Sequence, residues 1–146
     1  MATDTSGRIH VVGELNHTVT TFDPDSTPWR ETGRVPSTTS AAAQPSDIDV
    51  SVDGRFLYVG NRGPDTVAVL GLEGDRVELL AELPSGGAWP RHLAIVDRHL
   101  YVANERSNRV AVFTLDPDTG VPEPTAAPFV TPSPTCVMPV RRSGRR

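Results

Sequence analysis

Internal repetition constrains this chain more than anything else in it. Three stretches line up: GRIHVVGELNHTVTTFD from Gly7, GRFLYVGNRGPDTVAVLGL from Gly54 and RHLYVANERSNRVAVFTLD from Arg98. With one gap in the first copy, Glu14, Arg62 and Glu105 become equivalent, and each is followed five residues later by a valine, Val19, Val67 or Val110. A second register runs ahead of it in PSDIDV from Pro45, PRHLAI from Pro90 and PTCVMP from Pro134, at spacings of 45 and 44 residues. Two independent registers therefore agree on a period near 45, and a repeat of that length is one supersecondary unit.

Inside each period the apolar runs are short and rich in β-branched residues, and Asp-Gly, Asn-Arg-Gly, Pro-Asp and Gly-Gly interrupt them, which is strand and turn chemistry. The most complete unit predicts strands at Ile48 to Val52, Phe56 to Gly60, Thr66 to Leu72 and Arg76 to Leu83, with turns at Asp53-Gly54 and Glu73 to Asp75. No window keeps helical spacing for more than about two turns, so no helix is predicted. The Ser37 to Gln44 run reads as an irregular connection between units. A four-stranded antiparallel meander recurring at this period is the pattern of a β-propeller blade. A β-sandwich with chance likeness between hairpins is the alternative. The expected fold is all-β, about three blades over 1–140: blades at roughly 1–38, 39–84 and 85–130, a closing strand over 131–140, and a basic disordered tail over 141–146.

Composition narrows the partners. The net charge is -4, and all 14 basic residues are arginines scattered along the chain, whereas phosphate neutralisation by a nucleic-acid binder needs a concentrated basic face. No nucleic-acid partner is expected. One cysteine, Cys136, excludes an internal disulfide framework and a thiolate zinc site, and it reads as a buried, inert thiol in the last apolar strand. No apolar run approaches a membrane span, and the N-terminus has no signal-peptide pattern, so a soluble cytoplasmic protein is expected. His10, His17, His92 and His99 lack metal-ligand spacing, and His10 and His99 read as exposed rungs of a sheet. No GxSxG, Gly-Lys-Ser/Thr loop or GxGxxG stands in the sequence, which removes the usual serine-hydrolase and nucleotide-binding readings.

Blade geometry gathers a candidate site. If the first strand of a blade runs from top to bottom and the second returns, then second-strand ends and first-strand starts share one rim. That rim holds Glu14, Asn61, Arg62, Asn104 and Glu105, with Arg91 and His92 at the start of the third unit. Glu105, within NERSNR, also fits a solvated ion pair. Asn61 and Asn104 recur at one point of their units, which a side chain bonding the connecting backbone explains equally well. Arg91 follows Gly86-Gly87-Ala88-Trp89-Pro90, a loop whose glycines allow close backbone approach, and is the best candidate for binding an anion. The opposite face receives Asp53, Asp97, Asp116 and Asp118, in turn positions where short side chains satisfy local backbone.

The succession VVGEL, SDIDVSVDGRFLYVGNRG, GGAWPRHLAI, LYVANERSNRVAVFTLDPDTG and TPSPTCV resembles the C-terminal part of the lactonase family of seven-bladed β-propellers, which includes bacterial 6-phosphogluconolactonases. The resemblance runs from about Gly7 to Val137. It implies hydrolysis of a sugar lactone, typically 6-phosphoglucono-1,5-lactone to 6-phosphogluconate in the oxidative pentose phosphate pathway, and it allows a lactone-forming relative of the muconate cyclases. The family's glutamate maps onto Glu14, with Gly13 in place of the preceding Asn, and its downstream arginine maps onto Arg91 or Arg62. The family's histidine and first arginine find no match here, and His92 is not their substitute. Taken together, the resemblance and the rim give a candidate set of Glu14, Arg62 and Arg91 as catalytic residues, with the rim's His92, Asn61, Asn104 and Glu105 as substrate-binding ones, acting on a small-molecule lactone without metal or other cofactor. Glu14, Asn61 and Asn104 have a superficial likeness to a metal-dependent gluconolactonase site, but the motifs around them do not match it. The competing expectation is a non-catalytic propeller fragment that binds or assembles, with self-association through open blade faces.

Overall fold

The computed structural model describes residues 1–74, 76–125 and 127–140. Asp75 of the expected turn and the expected tail over 141–146 lie outside the described residues. The strands are β1 (Ala2–Thr3), β2 (Ile9–Gly13), β3 (Thr18–Asp23), β4 (Arg30–Pro36), β5 (Gln44–Val50), β6 (Phe56–Arg62), β7 (Thr66–Glu73), β8 (Arg76–Pro84), β9 (Pro90–Val96), β10 (His99–Asn104), β11 (Arg109–Leu115), β12 (Pro122–Pro124) and β13 (Phe129–Val130). They form three antiparallel meanders, β1-β2-β3-β4, β5-β6-β7-β8 and β9-β10-β11-β12, and β13 pairs with β11 beyond β12. These are propeller blades, all-β as expected. The helical element among the described residues is one 3-10 turn at Glu105–Ser107.

Alternation along the middle blade explains its apolar runs. Successive side chains of a strand point to opposite faces. Leu57, Val59, Ala68 and Leu70 pack with Val19 and Ile48 in a core between the first two blades. Phe56, Tyr58, Val67 and Val69 pack with Leu93, Leu100, Val102 and Phe113 in a core between the second and third. Every residue of β6 is therefore buried, and a sheet covered on both sides reads as a continuous hydrophobic run.

The repeat is carried by backbone as well as by sequence. Val12 pairs with Val19, Gly60 with Val67 and Ala103 with Val110, so the gap in the first copy falls at the β1–β2 connection. His17, Asp65 and Asn108 all adopt the left-handed conformation, at φ 56°, 58° and 54°. Their carbonyls accept the N–H groups of Ser37, Ser85 and Thr131 at 2.8, 2.9 and 3.0 Å, closing each blade by the same bond.

Three expectations fail. Residues 131–140 form no strand, because a first strand needs the second strand of its own blade to pair with, and the described residues include none. Cys136, for the same reason, is exposed rather than buried. His10 is only 1% exposed and no outward rung: its ring nitrogens lie 3.0 Å from Thr21 Oγ1 and 2.9 Å from Asp4 Oδ2, which fill its polar needs inside the blade.

Candidate active site

The tops of the three blades converge on an arginine-rich cluster. The Arg62 guanidinium, at the end of β6, donates from Nη2 to Glu14 Oε1 at 2.6 Å and from Nε to the Gln44 carbonyl at 3.0 Å. Arg62 is 7% exposed and Glu14 53%, so a buried, fixed cation holds a carboxylate that still meets solvent. Trp89 lies beside it in the connection from β8 to β9, with the guanidinium carbons of Arg62 and Arg106 at 5.4 and 3.3 Å from its ring centroid. Cation–π attraction favours such contacts, more so where water is excluded. Trp89 stands at φ 65°, a conformation unfavourable for a bulky residue, and the Asp65 carboxylate holds it by accepting its N–H at 2.8 Å. The Trp89 carbonyl in turn accepts the Glu105 N–H at 3.1 Å.

Arg91 and Glu105 sit at the outer side of this cluster, half-exposed, with Arg91 Nε 3.9 Å from Glu105 Oε2. That separation is beyond hydrogen-bond reach, and it leaves Arg91 available to an anion. His92 is partly exposed and faces the inner strand: its Nε2 is 3.7 Å from Asp47 Oδ2, and its Nδ1 accepts the Val137 N–H at 3.4 Å. Glu14 thus meets Arg62 and Arg91 faces Glu105, whereas the contacts of His92 are to Asp47 and Val137.

Asn61 and Asn104 stand behind that rim. Both are fully buried, and their amides donate to the Ser37 and Ser85 carbonyls at 3.0 and 2.9 Å, anchoring the connection that arrives from the preceding blade. Enclosed there, they support the rim rather than touch a ligand. Glu82 was not singled out in the sequence and completes this support. It accepts from Thr38 Oγ1 at 2.7 Å and from the Thr39 N–H at 2.9 Å, and also from Thr66. Burial alone would raise its carboxyl, but the bonds from Thr66, Thr39 and Thr38 together hold it below the usual range. At the opposite end of the seam between the second and third blades, Asp53, Asp97, Arg98 and Asp116 line a cavity of about 200 Å³. The Asp116 carboxylate there is occupied by the backbone of Asp118 and Thr119, as turn chemistry predicts.

The family description "Lactonase, 7-bladed beta-propeller" matches residues 2–139. The chain belongs to this lactonase family. Among its relatives, the 6-phosphogluconolactonase of Bacillus subtilis is 30% identical over 137 residues, covering 88% of this chain and 39% of its own length. The 6-phosphogluconolactonase of Formosa agariphila is 37% identical over 81 residues, 51% of this chain and 23% of its own. A proposed 6-phosphogluconolactonase of Bacteroides uniformis superimposes with a TM-score of 0.86 at 26% identity, over 92% of this chain and 40% of that one. The periplasmic gluconolactonase PpgL of Pseudomonas aeruginosa shares the fold at a TM-score of 0.81 and 24% identity, over 92% of this chain and 40% of that one. The chain thus spans about two-fifths of the length of these relatives, the shorter Formosa match aside. None of the helices among the described residues is long and apolar enough to cross a membrane.

Proposed function

We propose that the rim built by Glu14, Arg62 and Arg91 belongs to a hydrolase of sugar lactones of the 6-phosphogluconolactonase kind, working in the cytoplasm. The observation that carries this reading is the 2.6 Å pair between an exposed Glu14 and a buried Arg62, with the half-exposed Arg91 held only loosely by Glu105 at 3.9 Å. In lactone hydrolysis, water adds to the carbonyl carbon, the ring C–O bond breaks, and the leaving oxygen takes a proton. In this reading Glu14 accepts the proton of the attacking water, and Arg62 stabilises the oxyanion that develops on the carbonyl. A phosphate on the substrate suits Arg91, whose planar fork can bond it in two places.

The test is hydrolysis of freshly made 6-phosphoglucono-1,5-lactone, followed against its spontaneous opening, for the 146-residue chain and for a form extended at its N-terminus. Glu14→Gln should lower kcat/KM by on the order of 100-fold with the fold intact, the scale of a lost general base. No rate above background in either form would remove the enzyme reading. One observation favours a second reading, a non-catalytic propeller piece that binds or assembles: Arg62 is already engaged by Glu14, the Gln44 carbonyl and Trp89, as a structural residue would be.

A further inference from the structure

We propose that Arg106, stacked on Trp89, is a substrate-binding residue that grips the phosphate of a phosphorylated sugar lactone and so selects that substrate over its unphosphorylated counterpart. The inference rests on the hydrolase reading of the Glu14 and Arg62 pair, and it names a residue that sets the substrate class of the same site. Three guanidiniums stand around the top of the seam between the second and third blades, and they differ in what their N–H groups already hold. Arg62 spends Nη2 on Glu14 and Nε on the Gln44 carbonyl. Arg91 has its Nε 3.9 Å from Glu105. The Arg106 guanidinium carbon lies 3.3 Å from the Trp89 ring centroid, and among the described residues its side-chain nitrogens make no hydrogen bond or ion pair. A guanidinium laid on a ring gives its flat face to the contact and keeps its in-plane donors for a ligand. Those donors form the fork that meets two oxygens of a phosphate at once.

The chain departs from its own repeat at both partners of this stack. Trp89 falls where the preceding unit has Gln44, each just before the proline of an inner strand, and Arg106 falls where the first and second units have Leu15 and Gly63. The earlier seam therefore has neither the ring nor the cation at these positions. The stack is also fixed from beneath. The Glu105 N–H donates to the Trp89 carbonyl at 3.1 Å, the Arg106 N–H to the Ala88 carbonyl at 3.2 Å and the Ala88 N–H to Ser107 Oγ at 2.9 Å. These bonds zip the Glu105–Ser107 turn to the connection that carries Trp89. The two segments approach at Gly87, where a Cβ would come within 2.7 Å of the Asn104 side chain. Trp89 keeps its unfavourable φ of 65° because those bonds and the Asp65 carboxylate over-determine it. A cation held in this way loses little freedom when an anion arrives.

Trp89 also joins the stack to the proposed catalytic pair, since the Arg62 guanidinium carbon lies 5.4 Å from the same ring centroid. The two charges are thus separated by a length that a six-carbon sugar phosphate can bridge, with its carbonyl toward Arg62 and its phosphate toward Arg106. Arg62 is buried and Arg106 exposed, which orders such a substrate with the phosphate outward. An unphosphorylated lactone offers Arg106 nothing to bind. The missing phosphate then weakens binding far from the reacting carbonyl, so the difference between the two lactones falls on KM and leaves kcat alike.

The chain has two tryptophans, so Trp29→Phe leaves Trp89 as the single indole, and its emission reports on the stack. In that background 6-phosphogluconate should bind about ten-fold tighter than gluconate, the scale of one or two charge-assisted hydrogen bonds. Arg106→Gln should bring the two to equal affinity with the circular dichroism unchanged. Arg106→Lys, a point charge without the fork, should restore only part of the difference. Inorganic phosphate should bind more weakly than 6-phosphogluconate, because it lacks the sugar that reaches Arg62. Equal affinity for 6-phosphogluconate and gluconate in the parent chain, discrimination that survives Arg106→Gln, or inorganic phosphate binding as tightly as 6-phosphogluconate would each overturn the proposal. Binding is read without turnover, which separates the two readings. A chain that discriminates by phosphate yet opens no lactone keeps the phosphate site and loses the hydrolase reading, and one that opens both lactones at equal kcat/KM loses this inference alone.

Discussion

The two seams of the blade stack are built differently. Between the second and third blades, the inner strands are tied directly: Asp47 and Asp49 accept the Leu93 and Ile95 N–H groups, each at 2.9 Å, and the Ser46 hydroxyl lies 2.6 Å from the Pro90 carbonyl. The core beneath is aromatic, with Phe56, Tyr58 and Phe113. Between the first and second blades the core is aliphatic, and the first blade presents a polar trio of Asp4, His10 and Thr21 where the middle blade presents Tyr58. No inner-strand tie of the Asp47 kind crosses there among the described residues, because the first blade's inner strand is only Ala2–Thr3. Both seams share the arginine tie at the bottom. Stacked blades therefore owe their packing to sheet faces, whereas alignment around the channel comes from the innermost strand.

Phe113→Ala should have the largest effect. The ring is 4% exposed and central to the aromatic seam, so its removal should cost about 3–5 kcal/mol in urea unfolding. A loss under about 1 kcal/mol would show that this seam is not packed as described. Asp47→Ala comes next: the Leu93 N–H loses its acceptor inside the seam, at about 1–3 kcal/mol. Hydrogen exchange at Leu93 should quicken, and Asp47→Asn, which keeps an acceptor, should recover most of the loss. Equal losses in both variants would mean that charge rather than the hydrogen bond matters at this position.

Much of this was legible in the chain. The period and the four strands of the middle blade followed from turn residues and alternation, which are local. What escaped depended on contacts between units. His10 looks like an outward rung until Asp4, six residues away, and Thr21 on the next strand close around it. Cys136 stands where the sister copies have the part-exposed Asp47 and His92, and the blade whose second strand would pair with its segment is absent from the described residues. Asp47 and Asp49 alternate with apolar residues along β5, where polar side chains look incidental. Their role shows only once the following repeat lies alongside, where Asp47 and Asp49 accept the Leu93 and Ile95 N–H groups.

The smallest expected effect concerns what the seams share. Asp53 is held down to about 2, first by the Ser51 hydroxyl and then by Arg55, despite some opposing burial. It accepts from Arg55 Nε at 2.9 Å, and Arg55 in turn reaches the Pro117 carbonyl on the third blade, so Asp53 orients the bottom tie. Because the folded value lies below the ordinary 3.8, the stabilisation is present above about pH 4 and disappears as pH falls toward 2. Asp53→Asn should therefore unfold more easily than the parent chain at pH 6, and the two should converge near pH 2. Half of the Asp53 side chain meets water, which screens the pair, so the difference at pH 6 should stay under about 1 kcal/mol. A difference that persisted unchanged down to pH 2 would assign the effect to the Asx turn at Ser51 to Arg55 instead of to the charge that aims Arg55 across the seam.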